Sequence, residues 1–198
     1  AISNDIGQFN IESVGELCIL NEVAIELNKT ATAVFRVNPN VDAQTHEKIS
    51  TGREEDKFGI DIDLIPDVFR HAATLPGIEP VGLAVHIGSQ LTSLDPFEQA
   101  FSRVGLMVKT LRDAGYAVSR LDLGGGLGIV YDEENPPKPA AYAALVANTV
   151  GKLDVELTFE PGRVLVGNAG ILVTSVIQIK KTKTKRFVVV DAAMNDLI

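Results

Sequence analysis

The stretch Leu121-Asp122-Leu123-Gly124-Gly125-Gly126-Leu127-Gly128 and the string Phe159-Glu160-Pro161-Gly162-Arg163 each pass from apolar residues abruptly into glycine. Glycine has no Cβ, so its backbone can take positive φ and bring N–H groups close to a ligand. A phosphate held by such amides needs no side chain, and a following helix N-terminus adds to the field. One glycine-rich turn alone is often just a tight turn; the second, about one βα unit further on, turns the reading toward a phosphate site. His86 closes the apolar run Val81 to Val85 and precedes Ile87-Gly88-Ser89-Gln90. Its imidazole either fills a structural place or stacks on a planar ring, with Ser89 donating to a phosphate oxygen. Glu160 ends an apolar run, and a carboxylate there needs a cationic partner or solvent. Arg163 is one such partner. In the alternative, Glu160 holds a protonated ring nitrogen and Arg163 is left for a carboxylate or phosphate. Asp122 lies within its strand, and the sequence gives it no role.

The elements that must position these residues alternate between strand and helix. Residues 7–11 read as a short strand. Ser13 followed by Glu16 is a capping-box pattern, with Leu17, Leu20, Val23, Ala24 and Leu27 at helical spacing behind it. Ala31 to Val37 is a compact apolar run ended by Asn38-Pro39, as a buried strand would be. Residues 62–75 read as helix, 81–86 as strand and 97–114 as an amphipathic helix capped by Gly115. Strand at 118–123, helix at 140–150 and strand at 155–159 follow. The connection from Asn38 to Gly59 shows no clear element and holds Asp42, His46, Lys48, Arg53 and Lys57. A loop of that length is usually functional or disordered, and a polar one is mostly solvated surface, yet above the C-terminal face of a barrel it would be a natural lid.

About five βα units with near-continuously apolar strands predict an α/β fold with a parallel sheet covered on both faces. A (β/α)8 TIM-type barrel needs three strands more, and its phosphate site would follow its last two strands. A doubly wound sheet could close with five, but no strand carries a G-x-G-x-x-G fingerprint followed by an acid. An incomplete TIM-type barrel is therefore the expectation, over residues 1–169. Residues 170–198 change character. The β-branched runs 171–179 and 186–190 flank Lys180-Lys181-Thr182-Lys183-Thr184-Lys185-Arg186 and predict an antiparallel hairpin. Its basic tip reads as a solvated turn or an anionic-ligand site, and the hairpin as the start of a β-domain.

The chain has 198 residues, 45% of them hydrophobic, enough to bury a real core. A formal net charge of −8 argues against a nucleic-acid partner. One cysteine, Cys18, excludes an intrachain disulfide framework and fits a reducing compartment; its apolar neighbours make it a small core residue. No apolar run approaches the ~20 residues of a membrane span and no leader opens the chain, so a cytoplasmic protein is expected.

The ordered strings Val37-Asn38-Pro39-Asn40-Val41-Asp42-Ala43, Thr45-His46, Lys48-Ile49-Ser50-Thr51-Gly52, Lys57-Phe58-Gly59-Ile60, His86-Ile87-Gly88-Ser89-Gln90, Leu123 to Gly128, Glu160 to Arg163 and Asp191 to Ile198 resemble the diaminopimelate decarboxylases. The last string separates these from ornithine and arginine decarboxylases, although Ala193 stands where glycine is usual. The resemblance implies pyridoxal-phosphate enzymes that decarboxylate meso-diaminopimelate to L-lysine in lysine biosynthesis. It also implies an alanine-racemase-like barrel with a C-terminal β-domain, assembled as a homodimer. On this chain, His86 would stack on the pyridine ring and Ser89 would contact the phosphate. Gly124, Gly125 and Gly126 would cradle that phosphate with backbone from the Pro161-Gly162-Arg163 turn. Glu160 would pair with the pyridinium nitrogen, and Arg163 would also reach a substrate carboxylate.

Two departures follow from the same resemblance. The family's Schiff-base lysine lies on an early strand, expected upstream of Ala1, so the chain carries no catalytic lysine; Lys48 and Lys57 match other positions. The family's cysteine- and tyrosine-bearing substrate motifs would follow Ile198, and Cys18 does not match that cysteine. The segment alone is thus expected to be inactive and to represent the central part of a longer enzyme. A non-catalytic homologue, or a decarboxylase of another diamino acid or carboxylated polyamine, are the alternatives.

Overall fold

The computed structural model describes residues 1–42 and 58–196. Two compact units divide the chain, Ala1–Leu165 and Val166–Ile198. The first unit runs β1 (Phe9–Ile11), α1 (Val14–Glu26), β2 (Ala31–Asn38), β3 (Ile60–Asp61), α2 (Ile65–Ala72), β4 (Ile78–Val85), α3 (Asp95–Asp113), β5 (Arg120–Asp122), α4 (Pro139–Thr149) and β6 (Glu156–Thr158). Among the described residues every strand pair in it is parallel, in the spatial order β1-β2-β4-β5-β6. The two-residue β3, which the sequence did not announce, pairs with Val37 and Asn38 at the C-terminal end of β2. A doubly wound sheet reverses its strand order at a switch point, where a barrel adds each strand beside the last. Here no reversal occurs, and the sheet is an arc of a TIM-type barrel.

The strands are apolar because helices cover one side of the arc. Ala33, Phe35 and Val37 of β2, Leu83 and Val85 of β4, and Leu121 and Leu123 at β5 join one buried cluster with residues of α2 and α3. Phe35 meets Phe69 of α2 edge-on at 5.5 Å, and Phe97 of α3 meets Tyr142 of α4 at 5.1 Å and 82°. Such pairs add to the burial of the rings themselves. Alternate residues of the same strands point to the other side, where the polar Arg36, Asp122 and Thr158 stand in a row with Ala84, next to buried Val34.

Local chemistry sets the helix ends. Ser13 Oγ accepts from Glu16 N–H at the start of α1, while Glu16 Oε2 accepts from Glu12 N–H, one residue before the position a capping box would use. Cys18 on α1 is half-buried rather than fully interior. The helix expected over 62–75 opens as a 3-10 turn, Ile62–Leu64, before α2 proper. Gly115 takes φ 91° just past α3, a conformation in which a Cβ would be strained. His86 is the first residue beyond β4, which ends at Val85. The lysines and His46 of the long connection lie at 43–57, outside the described residues, as does Arg53.

The second unit is an antiparallel hairpin, β7 (Val176–Lys181) with β8 (Arg186–Val190). Its first arm starts at Val176, later than the β-branched run from Ile171 suggests. Thr182 N–H donates to Lys185 O at 2.8 Å and closes the basic turn. Among the described residues no helix is long and apolar enough to cross a membrane.

Candidate active site

Register brings the polar residues together. Arg36 of β2 pairs with Ala84 of β4, Ala84 with Asp122 of β5, and Asp122 with Thr158 of β6. Strand residues two apart share a face, so the next row holds His86, Gly124 and Glu160 at the C-terminal strand ends. Glu160 N–H donates to Gly124 O at 2.8 Å, carrying strand-like pairing one step past β5 and β6. The concave side opens as a cavity of about 480 Å³ lined by Asn10, Glu12, Arg36, His86, Asp122 and Glu160 among others.

The glycine turn is built by close backbone approach. Gly124 and Gly126 sit at φ 63° and 108°. A Cβ on Gly124 would strike Val85 O, on Gly125 Glu160 O, and on Gly126 Gly88 O. The three glycines therefore let the turn nest against the ends of both neighbouring strands. Gln90 clamps the turn to the Ser89 loop: its amide donates to Ile129 O at 2.6 Å and accepts from Ile129 N–H at 3.1 Å. Leu91 N–H donates to Gly126 O, and Gly128 N–H to Leu91 O.

Gly125 N–H donates to His86 Nδ1 at 3.2 Å, which makes Nδ1 an acceptor and leaves the proton of the neutral ring on Nε2. Burial first, and the Arg36 guanidinium second, hold the His86 pKa below the usual 6.5 against an opposing pull from Asp122. Glu160 shows the converse. Burial and the negative charge of Asp122 push its carboxyl above the ordinary glutamate range, a shared hydrogen bond with Asp122 adds to this, and Arg36 opposes it. Tyr142, packed 6.3 Å from the Phe159 ring, is pushed up to about 12, by burial and then by Asp122.

Arg163 turns to Tyr131 rather than to Glu160. Its guanidinium donates to Tyr131 Oη at 2.8 Å and lies 5.8 Å from the centre of that ring. Ser89 and Arg163 lie outside the lining of the Glu160 cavity, while Pro161 joins the three glycines and Tyr142 around a separate, mostly apolar recess. Gly162 is open, with nothing within 4 Å of where a Cβ would stand. Arg36 and Asn10 line the cavity without having been singled out in the sequence, Asp122 lines it although the sequence gives it no role, and Gln90 pins the turn rather than lining the cavity. The parity of β2 could have flagged Arg36, a charge inside an otherwise apolar run; Asp122 two residues before Gly124 is an Asx-turn signal, and its side chain does accept from Gly124 N–H at 2.9 Å. Among the described residues no group of three or more His, Cys, Asp or Glu side chains could hold a metal ion.

Fold and site together define a parallel βα-barrel segment whose strand ends carry a tight glycine turn beside an imidazole and a carboxyl. Residues 1–167 match the profile of the pyridoxal-dependent decarboxylases, pyridoxal binding domain. Diaminopimelate decarboxylase of Zymomonas mobilis is 46% identical over 200 residues, covering all of this chain and 48% of that protein. The Pseudomonas aeruginosa enzyme of the same name is 50% identical over 190 residues, covering 96% of this chain and 46% of that one. The crystal structure of diaminopimelate decarboxylase from Helicobacter pylori complexed with L-lysine superposes with a TM-score of 0.93 at 40% identity, covering 99% of this chain and 49% of that one. The chain belongs to the pyridoxal-dependent decarboxylase family, and it spans about half the length of the curated relatives it matches.

Proposed function

We propose that this chain is the cofactor-binding segment of a diaminopimelate decarboxylase, which releases CO2 from meso-diaminopimelate to leave L-lysine. The observation that carries the reading is the convergence of the Gly124–Gly126 turn, His86 and Glu160 at adjacent strand ends, in a chain 46–50% identical to enzymes of that name. The lysine bound by the Helicobacter pylori relative is the product such an enzyme would make.

The residues fit pyridoxal phosphate. A cradle that a Cβ on any of three glycines would disrupt receives the phosphate, with Ser89 as a side-chain donor and the open Pro161-Gly162-Arg163 backbone opposite. His86, held neutral and oriented by Gly125 N–H, offers its ring face to the pyridine. The Glu160 carboxyl reaches the cavity where the ring nitrogen would lie, and a cationic nitrogen there would offset the burial and the Asp122 charge that disfavour its ionised form. When bound, the cofactor supplies a protonated ring that draws off the electron pair left as CO2 departs. Arg163 meets Tyr131 through one guanidinium nitrogen, and its fork of five N–H donors leaves others for a substrate carboxylate. The family resemblance extends the proposal to a cytoplasmic homodimer, with the barrel part at 1–169 and the 170–198 segment leading into a C-terminal β-domain.

The test is CO2 release by the purified full-length protein on meso-diaminopimelate, L-ornithine, L-arginine and carboxylated polyamines. Turnover of diaminopimelate that needs pyridoxal phosphate, with the others much slower, is expected. A preference for another substrate would move the specificity, and cofactor binding without turnover of any would make the protein a non-catalytic homologue.

A further inference from the structure

Asp122 is the most deeply buried charged side chain among the described residues, at 2% exposure, in a row otherwise formed by Arg36, Ala84 and Thr158. Its two oxygens serve different elements. Oδ1 accepts from Gly124 N–H at 2.9 Å, the first amide of the glycine turn. Oδ2 accepts from Asn10 Nδ2 at 3.2 Å, reaching across the concave side to β1. Asp122 lies opposite Thr158, two residues before Glu160 on the same face, and the two acids line one cavity, so the geometry sets the strand-end acid one row from a buried one.

A buried carboxylate is costly unless its lone pairs are used, and here they hold the glycine turn and β1. We propose that Asp122 is a positioning residue that fixes the first amide of the glycine turn, ties that turn to β1 through Asn10, and sets a buried negative charge one row from the Glu160 carboxyl across β5 and β6. This deepens the pyridoxal-phosphate reading and rests on it for the identity of the ligand. The other charged or titratable groups facing Glu160 are Glu12 beyond β1, Arg36 on β2, His86 beyond β4, Arg120 on β5 and Glu156 on β6. Of these Arg36 pulls Glu160 toward ionisation, while Asp122 and burial pull against it. A cationic ring nitrogen beside Glu160 would relieve this opposition by placing a positive charge next to both acids.

Two substitutions in the full-length protein separate the roles. Asp122→Asn keeps an acceptor for Gly124 N–H but removes the charge facing Glu160. Asp122→Ala removes both. The first readout is the ¹³C carboxyl titration of Glu160 in cofactor-free protein, in which Asp122→Asn should move the midpoint down by about one pH unit. The second is the dissociation constant of pyridoxal phosphate by equilibrium dialysis, which should stay within about threefold for Asp122→Asn and rise roughly tenfold or more for Asp122→Ala as a charge-assisted bond is lost. An unmoved Glu160 midpoint in Asp122→Asn would overturn the proposal, as would parental affinity in Asp122→Ala. If Asp122→Ala does not fold, the Asp122→Asn titration decides the matter alone. A parent protein that binds no pyridoxal phosphate would sink the functional reading, while the Glu160 titration, done without cofactor, would still decide the role of Asp122.

Discussion

At the scale of single residues the site works by opposite shifts on neighbouring groups. His86 is held neutral and Glu160 is biased toward its proton, and both shifts are led by burial, with Arg36 and Asp122 acting on each in opposite senses. For His86 the folded pKa is depressed, so its contribution to stability is present above the unfolded value of about 6.5 and is lost as pH falls through the folded value. NMR titration of the full-length protein should therefore show the His86 midpoint below 6.5, with the Gly125 amide shift following it, because a protonated Nδ1 cannot accept. A midpoint at or above the ordinary histidine value would remove the hydrogen bond from the account. For Glu160 the sign reverses: its raised pKa gives stability that is full below the unfolded value and lost as pH rises through the folded one. Arg163→Lys keeps the charge but not the planar fork, and charge-assisted bonds are worth roughly 1.5–3 kcal/mol. Catalytic efficiency should fall by about ten- to a hundredfold. Kinetics within about twofold of the parent would take Arg163 out of the site.

At the scale of elements, the glycine turn is a packing device as much as a ligand cradle. Gly125 faces Glu160 O across the β5–β6 seam, whereas Gly162 faces open space. Gly125→Ala should therefore force the two strand ends apart, destabilise the full-length protein by about 1–3 kcal/mol and weaken cofactor binding together. Gly162→Ala should leave thermal stability within experimental scatter. Equal melting temperatures for the two variants would contradict this. The turn was legible in the sequence because consecutive glycines directly after an apolar strand mark a backbone that must pass close to something. So were α1 through Ser13 and α3 through Gly115. The 3-10 opening before α2 and the two residues of β3 were not, since neither carries a period long enough to read. Asp122 was visible as an acid two residues before glycine, but its meaning needed the cross-strand row that places Asn10, 112 residues away, against it. Non-local register is what a single sequence does not display.

At the scale of the whole molecule, strand order bears out the architecture. The missing dinucleotide fingerprint already turns the sequence reading toward a barrel arc and away from a doubly wound sheet, and the unreversed order β1-β2-β4-β5-β6 agrees with it. Among the described residues the outer edges of β1 and β6 carry no partner strand, and unpaired edges invite association between chains. Produced alone, residues 1–198 should therefore self-associate in light scattering and show no decarboxylase activity, with pyridoxal phosphate bound weakly and noncovalently. Stoichiometric borohydride labelling at Lys48 or Lys57, with turnover of diaminopimelate, would contradict that. The most direct test of the site itself is a crystal structure of the full-length protein with pyridoxal phosphate bound. The phosphate should lie against the turn at Gly126 and at Gly162, with the ring on His86 and its nitrogen at the Glu160 carboxyl, while the Gly124 and Gly125 amides keep Asp122 and His86 as their acceptors. A phosphate bound elsewhere, or a ring nitrogen facing any group other than Glu160, would contradict the account.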